Sequence, residues 1–96
     1  MFYRKEKTEE LLRHLAAEFL EKEAGPQSLI TVTRVRFDNR KKSAEILISV
    51  LPKEQERPAL DFVSRKKKDF IDYLKNHSRI GTIPFISFCL ETEKID

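Results

Sequence analysis

At 96 residues, with 40% hydrophobic and 36% charged side chains, the chain has apolar material for one domain whose single core buries about two thirds of the unfolded surface. Its 19 Lys and Arg against 16 Asp and Glu leave a net charge of +3 and a pI near 9.1, a mild lean toward an anionic partner. No apolar run approaches the roughly 20 residues of a membrane span and the opening MFYRKEKTEELL lacks a signal peptide's apolar core, so a cytoplasmic protein is expected, not a membrane or secreted one.

The first helix is expected from Thr8, a good N-cap, with Glu9 and Glu10 in the first turn where the helix dipole favours acids. Leu11, Leu15 and Phe19 recur every four residues, with Leu12, Ala16 and Leu20 beside them, and Gly25-Pro26 stops the pattern near Glu23 or Ala24. Residues 1–6 then read as a flexible arm in which Arg4 and Lys5, with Lys7 beyond, stand near Phe2 and Tyr3, an arm that either stacks on bases or is simply frayed, fraying being the favoured reading.

Two strands follow, joined by the turn Asp38-Asn39-Arg40-Lys41-Lys42. In the first, Ile30 and Val32 have one parity and Val35 and Phe37 the other, which predicts a β-bulge near Thr33-Arg34 that restores one buried face. In the second, Ala44, Ile46, Ile48 and Val50 alternate cleanly with Glu45, Leu47 and Ser49.

A helical stretch then carries Leu60, Val63, Phe70, Ile71 and Leu74 on one face, with Pro58 admissible in its first turn. Lys67 falls on the seam of that face, which predicts a kink or two short helices. Ile86, Phe88 and Leu90 make a third strand after Pro84, followed by a polar tail from Glu91 to Asp96. The order α-β-β-α-β in one domain over 1–96, with a right-handed crossover, predicts an α+β two-layer sandwich with its helices on one face of a three-stranded sheet.

No enzyme is expected, since His14, His77 and Cys89 lie in three different elements, and a nucleophile, base and orienting group do not converge. Both histidines read as structural, and Cys89, the lone cysteine, as a buried inert thiol. Neither metal-ligand spacing nor a P-loop occurs, so neither a cofactor nor a small-molecule substrate is expected. The strongest charge feature is Arg65-Lys66-Lys67-Lys68, with Lys75 and Arg79 after it and Arg40, Lys41 and Lys42 capping the hairpin. A solvated charged surface explains such a run as readily as a phosphate-tracking one, and the company of the other cations favours the second.

In detail the chain resembles the ribosome-binding factor A family, of the type II KH class, over nearly its whole length. The motifs are LITVTRVRF at 29–37, AEILISVL at 44–51, RIGTIPFISF at 79–88, and the first helix with Pro26 and Leu29 after it. The resemblance implies a type II KH-like fold and a monomer that binds free small (30S) ribosomal subunits through their 16S ribosomal RNA, near its 5′ end and neck. It also implies support for late maturation of that RNA, a link to cold adaptation, and no catalysis. One departure stands out: where the family has an Ala-x-Gly kink, this chain has Lys66-Lys67-Lys68-Asp69 with no glycine, so side-chain ammonium groups are expected to replace a close backbone approach to phosphate. The rival expectation is a protein-interaction module using the hairpin edge or the Phe62/Tyr73 surface.

Overall fold

In the computed structural model, which describes residues 2–23 and 29–91 with side chains from Lys5 onward, the element order is α1 (Phe2–Glu23), β1 (Leu29–Asp38), β2 (Ser43–Leu51), α2 (Glu56–Arg65), α3 (Lys67–His77) and β3 (Phe85–Leu90). A short 3-10 turn, Lys53–Gln55, links β2 to α2. Helix α1 starts at Phe2, not after an N-cap at Thr8, so 2–6 form its first turns instead of the expected arm. The physical reason is local: Arg4, Lys5, Glu6 and Lys7 are good helix formers and no Gly or Pro interrupts them. The Gly25-Pro26 stop and the tail after Glu91 lie outside the described residues.

The three strands form one mixed sheet in the order β1-β2-β3, antiparallel between β1 and β2 and parallel between β2 and β3. Val32 pairs with Ile48 and Arg34 with Leu47, so Thr33 is the extra residue of the expected bulge. It puts Val32 and Val35, of opposite parity in sequence, on the same buried face, at 8% and 6% exposure. Thr33 Oγ1 shares its single proton between two acceptors, Glu91 Oε1 at 2.8 Å and the Leu47 carbonyl at 3.1 Å. Arg34 donates from Nε and Nη2 to the same Glu91 carboxylate, so Glu91 is tied to the bulge rather than opening a free tail. These hydrogen bonds, from Thr33 foremost, hold the Glu91 carboxyl below its usual range.

Helices cover only one face of the sheet. There Leu12, Ala16, Phe19 and Leu20 of α1 meet Ala44, Ile46, Ile48 and Val50 of β2, Val63 of α2, Phe70 and Leu74 of α3, and Ile86 and Phe88 of β3. Leu11, expected on that face, is exposed at its margin. Ring contacts run through this layer, Phe19 to Phe70 at 5.3 Å and Phe70 to Phe88 at 5.9 Å, tying α1, α3 and β3 together. On the helix-free face Leu47 is nonetheless buried, because the Arg34–Glu91 pair reaches from β1 to the end of β3 across the central strand. Cys89 also lies on that face, half-buried rather than buried, with Sγ 3.8 Å from Glu45 Oε2; partial burial, and then that carboxylate, push its thiol pKa up.

The hairpin closes without glycine. Asp38 Oδ1 accepts from the Arg40 and Lys41 amides at 2.9 and 3.2 Å, and Lys42 takes a left-handed φ of 54°. That conformation turns the Lys42 carbonyl to accept the Phe85 amide at 2.9 Å, which starts β3 at Phe85, directly after Pro84 as expected. A side chain in this region is strained, so Lys42→Gly should raise unfolding stability by about 0.5–1 kcal/mol in a urea titration. Lower stability for the glycine variant would argue against a left-handed Lys42.

Candidate nucleic-acid interface

The expected break in the second helical stretch falls at Lys66. This residue stands between α2 and α3 with φ −90° and ψ 6°, and its amide still reaches the Phe62 and Val63 carbonyls at 3.2 and 3.1 Å. The break turns Lys67, which a continuous helix would bury, out to solvent at the head of α3. Phe70 and Leu74 take the inward positions, both 0% exposed.

Beside this junction lies a groove of about 380 Å³ between the α2–α3 corner and the edge strand β3. Arg65, Lys67 and Lys68 line it with Ile71, Ile86 and Phe85, and among the described residues no carboxylate does. Phe85 is 82% exposed at its lip, the most exposed large apolar residue among those described. Lys75, two turns beyond Lys68 on α3 with the exposed Asp72 between them on that face, does not line the groove. The arrangement suits a nucleic-acid strand: cations for phosphates along one wall, and an apolar wall with a free aromatic ring for bases.

Lys66 does not join them. Its Nζ lies 3.3 Å from Glu23 and 3.9 Å from Asp69, and 5.8 Å from the centre of the Phe62 ring, so it clamps the junction to the end of α1. Arg79, expected with the 65–68 group, instead faces a cleft beside the hairpin, together with Lys42 and Lys5. Arg40 and Lys41 line an adjoining cleft at the turn, which Lys5 also lines. The nine cations singled out in the sequence thus divide into a groove set, a turn set, one internal clamp and Lys75 outside the groove.

Two residues were missed. Phe85 reads in sequence as one more strand residue and gives no sign of its exposure, while Lys5 falls in the expected arm. The histidines have structural partners: His14 Nε2 is 3.1 Å from Glu18, and His77 Nδ1 is 3.0 Å from the Tyr73 carbonyl with its ring stacked on Tyr73 at 4.0 Å. Tyr73 donates its hydroxyl to Glu18 at 3.0 Å; desolvation, and then this carboxylate, raise its pKa. Among the described residues no group of three or more His, Cys, Asp and Glu could hold a metal ion, and no helix is long and apolar enough to cross a membrane.

No family model and no curated protein matches the sequence. Solved structures do match. The crystal structure of ribosome-binding factor A from Thermus thermophilus superposes with a TM-score of 0.82 at 22% identity, covering 95% of this chain and 99% of that one. A Thermotoga maritima solution structure, provisionally assigned as a ribosome binding factor A, matches with a TM-score of 0.74 at 26% identity over 90% of this chain and 85% of that one. The chain has the ribosome-binding factor A fold. The resemblance read from its motifs therefore holds at the level of architecture, including the mixed three-stranded sheet and the helices α1, α2 and α3. Within the ribosome-binding factor A fold this chain makes its inter-helix break without glycine, since φ −90° and ψ 6° at Lys66 lies in the bridge region, sparsely populated but open to residues with a side chain.

Proposed function

We propose that the chain is a non-enzymatic ribosome assembly factor of the cytoplasm, acting as a one-domain monomer without a cofactor. It binds the free small (30S) subunit through 16S ribosomal RNA and assists the late maturation of that RNA. The observation that carries this reading is the acid-free groove, in which Arg65, Lys67 and Lys68 face Phe85 and Ile86. The two matched structures, named for ribosome binding, support it. Cations in the groove neutralise successive phosphates and release counterions, which gives affinity without reading sequence, while the apolar wall meets unpaired bases.

The purified chain should co-sediment with free small subunits and not with assembled ribosomes. Pelleting with neither, or equally with both, would overturn the reading. At the surfaces named for the rival, a protein-interaction module, one edge amide and both rings already have partners within the chain. Glu9 Oε2 accepts the Phe37 amide at 2.8 Å and so caps a backbone group on the β1 edge. The Phe62 and Tyr73 rings are engaged within the chain by Lys66, Glu18 and His77.

A further inference from the structure

Two acid-free basic clefts meet at consecutive residues. Phe85 lines the groove between α2–α3 and β3, and Pro84 lines a second cleft of about 770 Å³ on its other side. The second cleft is assembled from distant segments: Lys5 and Thr8 from α1, Asn39 and Lys42 from the hairpin turn, and Arg79 and Thr82 from the loop before β3. Lys5, Lys42 and Arg79 give it three cations, and among the described residues no carboxylate lines it, the nearest one shown being Glu9, which is held by the amide of the lining residue Phe37. Lys42 Nζ donates to a neutral partner, Asn39 Oδ1, at 3.1 Å. At Gly81 on the loop, a side-chain carbon would meet nothing within 4 Å, which leaves the backbone there open to a ligand. The adjoining cleft at the turn, which shares Lys5, Phe37 and Asn39 with this one, is different in kind. Asp38 and Glu45 line it beside Arg36, Arg40, Lys41 and Lys5, and Arg36 Nη1 already lies 3.7 Å from Glu45.

We infer that the loop cleft is a second phosphate site for one continuous single strand of RNA, which leaves the groove, passes the ring of Phe85 and sets further phosphates against Lys5, Lys42 and Arg79. The inference rests on the reading of the groove as an RNA site. Continuity follows from the backbone: the Phe85 amide donates to the Lys42 carbonyl at 2.9 Å, so the lip of one cleft and a cation of the other are one hydrogen bond apart. A single strand, rather than a duplex, fits because the ring between the clefts is 82% exposed and can stack only on a base that is not already stacked in a helix.

Length dependence tests it. Fluorescence anisotropy with oligouridylates of about four and about ten nucleotides separates one site from two, because about four nucleotides fill the groove alone. The double variant Lys5→Ser with Arg79→Ser should bind the short oligonucleotide as the native chain does. It should bind the long one about tenfold more weakly, with a log–log salt slope flatter by about 1.4, or about 0.7 for each phosphate no longer neutralised. Thr82→Glu, an exposed change that adds an anion to the cleft, should reproduce the length-selective loss. Unchanged binding of both lengths by these variants, while Lys67→Ala with Lys68→Ala weakens both, would overturn the second site and leave the groove reading intact. Equal losses at both lengths would overturn it too. Failure of the native chain to bind either oligonucleotide would overturn the groove reading and the inference together.

Discussion

Replacing Arg65, Lys67 and Lys68 together by alanine should flatten the log–log salt dependence of small-subunit RNA binding by about two to three units, at about 0.7–0.9 for each phosphate left without its cation. All three side chains line the groove at the surface of the domain, so the variant should keep its fold; circular dichroism and an unchanged melting temperature would establish that. Lys66→Ala is the informative contrast. Its ammonium group lies against Glu23 and Asp69 at about one-third exposure, so its loss should leave the salt slope unchanged and cost under about 1 kcal/mol of stability. A slope as flat for Lys66→Ala as for the triple variant would show that the four cations act as an undifferentiated cloud. The groove would then not be the site.

Phe70→Ala should be the most damaging single change to the fold. The ring is 0% exposed and lies between Phe19 at 5.3 Å and Phe88 at 5.9 Å, so truncation leaves a cavity where α1, α3 and β3 converge. Such a truncation costs about 3–5 kcal/mol, a large share of the roughly 5–15 kcal/mol that stabilises a domain. At about 4–8 °C per kcal/mol for a domain of this size, the melting temperature should fall by at least about 12 °C. Phe85→Ala reverses the profile. Its ring is 82% exposed, so stability should change by about 0.5 kcal/mol or less while RNA affinity falls by about 1–3 kcal/mol as stacking is removed. A stability loss below about 1 kcal/mol for Phe70→Ala would contradict the aromatic packing described above.

What could be read in the chain followed from periodicity, and what could not depended on residues distant in sequence coming together. The parity change between Val32 and Val35 required one extra residue, and Thr33 is that residue. Lys67 on an apolar seam required a break, and the break occurs one residue earlier, at Lys66. By contrast, the four adjacent cations look equivalent as a string. Lys66 departs from its neighbours because Glu23, at the far end of another helix, comes within reach of it. Phe85 alternates with Ile86 as a strand residue should, but alternation does not say which face the helices leave bare. Lys5 could be joined to the turn only once α1 proved to begin at Phe2 and to run alongside β1.

The parallel pairing of β2 with β3 has a consequence for dissection of the molecule. Parallel neighbours cannot be joined by a tight turn, so the walls of the groove come from pieces of chain that meet only when the crossover packs onto the sheet. A peptide spanning α2 and α3 would carry Arg65, Lys67 and Lys68 but not the wall formed by Phe85 and Ile86, and a peptide of the hairpin would carry neither. The groove therefore exists as a property of the assembled domain, and no fragment that stops short of β3 contains it.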